Sequence, residues 1–318
     1  MPLRFIAVAL NRTDLQATRY TIDGVQEARV SLRNDAYDGL EAGMRRIRSA
    51  IRQVWPLQDQ ITAVGLSAPG LVDYKRGVLR SLPGFPEWVD VPLRETLVEA
   101  LGVPVFVGKA ADTAALGEHR FGVGRDVDDL VYLAVNESLE YGTIYHNQLF
   151  TGGNGLGGQL GYVAVELPGA KSSNPEMTYL ETLISGEAVL RRVRERMAGG
   201  TASSLAEEFG FAPVEITVEA VCAAARQGDT LAQAVLQEMG VYLGLLMVSL
   251  MHILNPSLFV LDGLARLAGE ALLDPLRKVI AARAPNIYRE RTRIVLAQLG
   301  NDVRLWGALA LCLTELGL

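Results

Sequence analysis

Cysteine is scarce in this chain: Cys222 and Cys312 are the only two among 318 residues. Both fall in apolar helical patterns, which predicts core packing, excludes a disulfide framework and points to a reducing compartment. Blocks of positive charge are missing too. Lys and Arg number 30 against 36 Asp and Glu, for a net charge of −6, and no basic block exceeds a few residues. That balance argues against nucleic acid as the main partner. Long apolar runs are absent as well. The longest, 241–254, is interrupted by Gly244, Ser249 and His252. It is shorter than a bilayer span and reads as a buried helix, so no membrane partner is expected. The first strand is expected within a few residues of Met1, which leaves no room for a signal peptide and makes the cytoplasm the expected location.

What is present is an ordinary apolar share, 49%, on a length that suggests two domains with a core each. Short strands are predicted over 5–10, 18–22 and 28–31, with a tight turn at Asp23-Gly24. A helix follows over 37–55, where Leu40, Met44, Ile47 and Ile51 recur at helical spacing. Next come a strand over 61–67, a helix over 92–101 and a strand over 103–107. The same order of events restarts at 130, with strands over 130–135, 142–146 and 161–166 and helices after them. A long helix over 231–254 ends at Asn255-Pro256. A strand over 258–261, a helix over 270–282, a strand over 293–297 and a closing helix over 302–316 complete the chain. The recurrence predicts a duplicated α/β architecture. Its N-terminal domain should span 1–125 and be completed by the C-terminal helix at about 302–318, and its C-terminal domain should span 126–301.

The stretch VGKAADTAALGE (107–118) runs from a buried strand into a helix. It resembles the segment V-E-N-D-A-N-A-A-A-L-G-E of the ROK family (repressors, open reading frames and kinases). Further pieces of the resemblance are GLSAPGLVD (65–73), LPGF (82–85) with Trp88 and Val91-Pro92-Leu93, GNGLGG (153–158), Leu180-Glu181 with Ser185, and LNPSLFVLDG (254–263). Together they cover nearly the whole chain. The resemblance implies a two-domain, actin-like ATPase fold (ribonuclease H-like, hexokinase-type), with duplicated mixed sheets around a cleft. In the family motif the N-D pair holds the sugar, and the Asp takes the proton from the attacking hydroxyl. Here that pair is Lys109-Ala110. A methyl group accepts no proton, so no catalytic residue is assigned.

The resemblance also locates a nucleotide site, and its residues have changed. The first phosphate loop, D-x-G-G-T-K in the family, corresponds to Ala9-Leu10-Asn11-Arg12-Thr13-Asp14. Only Thr13 is kept; Ala9 replaces the metal-side carboxylate, side chains replace the glycines, and Asp14 adds a charge unfavourable to triphosphate. The second, G-T-G-I-G-x-G, corresponds to 136–142, where Glu137 and Glu140 would face phosphate if the loop kept its shape. A like-charge pair at about 4 Å and an effective dielectric of about 20 costs roughly 4 kcal/mol. The alternative is a refolded loop with solvated glutamates. A sharper expectation is that Arg12 bridges Glu137 or Glu140. On the adenosine side Gly263 stands where a second glycine of a pair is usual, and Arg304 and Trp306 are expected to overfill the pocket. ATP and magnesium are therefore expected only if a kinase reading holds.

The family's structural zinc is held by a His and three Cys, and the corresponding residues are Tyr162, Ser172, Asn174 and Tyr179. None is a thiol or an imidazole, and His119, His146 and His252 lie elsewhere, so no metal is expected. The sugar side keeps more. Glu181 matches the family glutamate that grips a sugar hydroxyl, Gln159 replaces a second glutamate, and Tyr162 offers a ring or a phenolic hydroxyl. Gly70 sits in a kept turn. Lys109 either points at an anionic ligand such as a sugar phosphate or pairs with Asp112 or Glu181 and closes the site.

Three readings follow from these residues. One is a non-catalytic ROK-like protein, a homodimer, that binds a carbohydrate or similar polar ligand. Another is a rearranged ATP-dependent sugar kinase with Asp112 as a substitute base, and the third is a structural or interaction subunit. A ROK repressor is disfavoured, because the first kinase-like strand is expected at residue 4, where a repressor would carry a DNA-reading domain.

Overall fold

A computed structural model describes residues 3–11, 14–34, 39–57, 60–165, 179–210 and 215–318. Contacts divide the chain into two compact units. The first comprises Met1–Leu130, Gly142–Gly158 and Gln298–Leu318; the second comprises Val131–Tyr141 and Gln159–Ala297. The segment 142–158, expected in the C-terminal domain, groups with the first unit.

The first unit is built on β1 (Arg4–Leu10), β2 (Asp14–Thr21), β3 (Gln26–Arg33), β4 (Ala63–Ala68) and β8 (Val105–Lys109), in the order β3-β2-β1-β4-β8. The hairpin strands pair antiparallel, whereas β4 and β8 join parallel to β1 and to each other. Parallel neighbours must be buried on both faces, and β4 is buried at all six positions. One face is covered by α1 (Gly39–Val54), whose Met44, Ile47, Ile51 and Val54 point inward. Gly43 lies mid-helix because Trp88 packs against it: a Cβ there would come 2.3 Å from the indole. Trp88 belongs to β7 (Phe85–Val91), which with β5 (Leu71–Asp73) and β6 (Val78–Leu82) forms a three-stranded antiparallel sheet. That sheet is not predicted above; its strands are short and their register shifts, so no clean alternation marks them. Next come α2 (Leu93–Leu101) and α3 (Ala110–Arg120). The last helix, α11 (Val303–Glu315), returns to pack on α3 and the first sheet, with Leu305, Ala308, Leu309 and Cys312 in a core shared with Phe5, Ala7 and Ala63.

The second sheet repeats the strand order of the first. It runs β11 (Gln148–Leu149), β10 (Leu139–Tyr145), β9 (Leu130–Val135), β12 (Leu258–Gly263) and β13 (Arg293–Leu296). The helices of the second unit are α4 (Gly186–Ala198), α5 (Ser204–Phe209), α6 (Val218–Arg226), α7 (Thr230–Leu254), α8 (Leu264–Ala268), α9 (Glu270–Arg283) and α10 (Asn286–Arg289). Helix α7 corrects one expectation. At 25 residues it is long and apolar enough to cross a bilayer by length and composition. Leu236, Met239, Leu243, Met247 and Leu250 are nevertheless buried in the core of the second unit, and Gly240 and Gly244 lie against the backbone of α9.

The strand expected at 161–166 is absent over its described residues. Leu160–Tyr162 is a 3-10 turn, followed by a single bridge from Ala164 to Tyr179. Gly161 lies against the Glu181 carboxylate, and turn hydrogen bonds to the carbonyls of Gln159 and Leu160 replace a ladder. Cys222 and Cys312 are free and buried, and burial raises the Cys222 thiol to about 11.

Candidate functional site

Strand β8 ends at Lys109 and α3 begins at Ala110, so the strand-to-helix switch places both residues in the interior of the first unit. Ala110 is 5% exposed and offers only its methyl group. The Lys109 Nζ lies 3.1 Å from Asp112 Oδ1 and donates to the carbonyls of Gly158 at 3.0 Å and Gly157 at 3.4 Å. An ammonium has three protons, and these three acceptors take them all. Of the alternatives for Lys109, the pairing with Asp112 is the one observed. Burial raises the Asp112 carboxyl to about 6 despite the opposing pull of Lys109. One turn on, the Thr113 hydroxyl donates to the Ala110 carbonyl and meets the Ser67 hydroxyl at 2.7 Å.

The glycine-rich segment that Lys109 touches is held from its other side as well. Lys75 Nζ donates to the Gly153 carbonyl at 2.6 Å, and the Tyr74 amide donates to Gly155 at 3.1 Å. Gly70 has φ of +85°, and a Cβ there would stand 2.3 Å from the Ser81 carbonyl oxygen. Its glycine is thus required by the backbone of the turn, whatever else it contacts.

At the β1–β2 hairpin, where the first phosphate loop is expected, the described side chains hydrogen-bond among themselves. Ala9 is buried beside Ser67 of β4. The Asn11 amide donates to the Asp14 carbonyl, and the Asn11 side chain donates to Asp14 Oδ1 at 3.0 Å. Gln16 donates to the other oxygen of Asp14 at 2.8 Å, Asn34 donates to the Asn11 carbonyl, and Arg304 donates to Asn11 Oδ1. Arg29 joins the same network through Gln16 and Asp302. The two side chains expected to overfill an adenosine pocket, Arg304 and Trp306, both make contacts within the first unit. Arg304 braces the hairpin, and the Trp306 ring packs at a tilt against Tyr20 and Phe121, with ring centroids 5.1 and 4.9 Å away. Arg12 and Thr13 lie outside the described residues, and with them the expected bridge to Glu137 or Glu140.

In the second unit, the turn between β9 and β10 is tight. The Asn136 amide donates to the Ser138 carbonyl, and the Asn136 side chain donates to Glu140 Oε1 at 3.0 Å. Glu137 is exposed. Gly263, with φ of +62°, lies against this turn, and a Cβ there would come 2.4 Å from Asn136 Oδ1. Asp262 accepts from the Tyr132 hydroxyl at 2.9 Å, from the Gly263 amide and from Arg266. At the hairpin Ala9 supplies no carboxylate for a metal, and the Asn11 and Asp14 side chains are hydrogen-bonded to each other. Among the described residues no group of three or more His, Cys, Asp or Glu side chains is placed to hold a metal ion. Ser172 and Asn174 lie outside them.

Also in the second unit, two 3-10 turns meet: Leu160–Tyr162, preceded by Gln159, and Leu180–Thr182, which carries Glu181. Tyr162 is 57% exposed and meets Tyr179 edge-on at 5.8 Å. Partial burial, then the charge of Glu181, raises the Tyr162 phenol above its ordinary value, so it stays a hydrogen-bond donor. Gln159 and Glu181 are half-buried. An amide, a carboxylate and two phenols therefore share one surface, an arrangement able to engage vicinal hydroxyls.

One important residue escaped the sequence reading. Glu118, at the end of the 107–118 motif, is fully buried, and its carboxylate accepts the backbone amides of Val123, Gln298 and Leu299 at 3.1, 2.9 and 2.8 Å. It thereby pins the segment entering α11. Only its place in the motif could have drawn attention to it.

Comparison with known proteins accords with this architecture. The ROK family model matches residues 5–315. A glucokinase of Thermotoga maritima is 30% identical over 315 residues, 99% of each chain. A crystal structure of a ROK family glucokinase from Streptomyces griseus in complex with glucose and AMPPNP superposes with a TM-score of 0.80 at 28% identity, over 97% of this chain and 98% of that one. A ROK family transcriptional regulator, homologous to the Escherichia coli MLC protein, superposes with a TM-score of 0.86 at 25% identity, over 98% of this chain and 78% of that one. The two-domain, actin-like ATPase fold is thereby shown, and the chain belongs to the ROK family.

Proposed function

We propose that this protein is a sugar-kinase-like ROK protein that has lost phosphoryl transfer and binds a carbohydrate or similar polar ligand without turning it over. The observation that carries the reading is the pair of positions at the head of α3. Ala110 has no proton acceptor, and the nearest carboxylate in the motif, Asp112, is ion-paired with Lys109 at 3.1 Å. Phosphoryl transfer depends on positioning and electrostatic stabilisation of the phosphates, and the hairpin at Asn11 and Asp14 spends its polar groups on itself. Ligand binding is supported by Gln159, Tyr162 and Glu181, which keep hydrogen-bonding groups together on the second unit. The glucose held by the Streptomyces griseus relative makes hexoses the first candidates. A homodimer in the cytoplasm is the proposed working form.

A sugar kinase with Asp112 as substitute base is favoured by one observation, a carboxyl raised to about 6, in the range useful for a general base. Its tie to Lys109 opposes it. Calorimetric titration of glucose, N-acetylglucosamine and xylose tests the ligand part. One of them is expected to bind saturably, and Glu181→Ala to weaken it about tenfold or more by loss of a charged hydrogen bond. Absence of binding by all three, or indifference to Glu181→Ala, would remove that part.

A further inference from the structure

The outer face of α1 carries a stripe of positive charge. Arg45, Arg48 and Arg52 recur at spacings of three and four residues, which places them in one stripe of the helix. With Ser49, Gln53 and Ala100 of α2 they line an open groove of about 660 Å³ within the first unit. That volume is within the ordinary range for a small-molecule site. Its lining differs from the ordinary: three guanidinium groups, one hydroxyl, one amide and a single methyl, with no aromatic ring. Arg45 has a loose, exposed ion pair with Glu41 at 3.6 Å. Among the described residues, Arg48 and Arg52 have no carboxylate within ion-pair distance, although acidic residues outnumber basic ones in the chain. Three like charges on one stripe repel one another, so the helix face is relieved by whatever brings negative charge into it. Guanidinium groups pair in forked geometry with phosphoryl and carboxylate oxygens. The lining has no aromatic ring on which a base could stack, and the guanidinium charge is its distinguishing feature.

We infer that this groove is a binding site for a small polyanion carrying two or more phosphoryl groups. The site is independent of the sugar-binding reading and of the Lys109 cluster. Free polyphosphates and a phosphorylated lipid headgroup share the chemistry, and the groove's small volume favours the free form. Isothermal titration with inorganic pyrophosphate and tripolyphosphate, with orthophosphate as reference, tests it. One saturable site is expected, binding tripolyphosphate at least about tenfold more tightly than orthophosphate and weakening as salt rises from about 50 to about 150 mM. The Arg48→Gln/Arg52→Gln variant should lose about tenfold or more in affinity, since each guanidinium contributes charge-assisted hydrogen bonds. Arg283→Gln, exposed in the second unit, should bind as the parent does. The melting temperature of each variant reports folding, and Arg52→Gln alone, at an exposed position, repeats the test should the double variant unfold. Absence of saturable binding, or affinity unchanged in the double variant, would overturn the inference. So would arginine-dependent binding to phosphatidylglycerol vesicles without binding of either soluble polyphosphate.

Discussion

The cluster at Lys109 and the surface at Tyr162 both derive from a sugar site by family resemblance, yet they are opposites in physical state. At Lys109 every proton of a buried ammonium has an acceptor within the same unit, and the adjoining carboxylate is nearly sealed from solvent. At Tyr162 the phenol is more than half exposed, and the glutamate and glutamine beside it are only half-buried. The first arrangement is complete without a ligand. The second keeps its polar groups where a ligand can reach them. The proposed loss of chemistry and the proposed retention of binding are therefore compatible within one chain, because they concern different residues.

Substitutions that break the contrast should differ most in their cost. Asp112→Ala leaves Lys109 buried with carbonyl partners only, and should destabilise the protein by about 3–5 kcal/mol in denaturant unfolding. Glu181→Ala at the open surface should stay within about 1 kcal/mol. Glu118→Ala, which takes a buried acceptor from three part-buried backbone amides, should cost about 2–3 kcal/mol by the same measurement.

The pH dependence follows from Asp112. Its folded value, about 6, lies above the ordinary carboxylate value. The folded state therefore holds a proton that the unfolded state has already released, and this contribution to stability is present below about pH 4 and lost as pH rises to about 6. Comparing unfolding free energies at about pH 4 and about pH 7, the parent should lose roughly 2 kcal/mol more than Asp112→Asn does.

Smaller effects sharpen the comparison. Lys109→Met with Asp112→Leu removes both charges together and should lie within about 1 kcal/mol of the parent, far from the sum of its single substitutions. Tyr162→Phe should change stability by less than about 0.5 kcal/mol, so any loss of sugar affinity in that variant reads out binding rather than folding.

Much of the architecture was legible from periodicity. The helical spacing of Met44, Ile47 and Ile51, the apolar strands of both sheets and the repeated order of events foretold two similar sheets, because core-facing periods of two and 3.6 leave a direct trace in composition. The β5–β7 sheet left no such trace, since its strands are short and irregular in register. The strand expected at 161–166 failed over its described residues, where a 3-10 turn at Leu160–Tyr162 sets Gly161 against Glu181 in place of extended pairing. For the site, the replacement at position 110 could be read from type alone. The partner of Lys109 stayed open between Asp112 and Glu181, although Asp112 lies one helical turn away; the ion pair at 3.1 Å selects Asp112. The role of Arg304 was invisible, because its contact with Asn11 joins residues at opposite ends of the chain.

Sugar-dependent ADP release tests most directly the proposal that this fold persists without phosphoryl transfer. Purified protein supplied with magnesium–ATP and glucose, N-acetylglucosamine or xylose should release ADP at the rate of the sugar-free control. Release stimulated by any one of these sugars and abolished by Asp112→Asn would contradict the account and establish Asp112 as the relocated base.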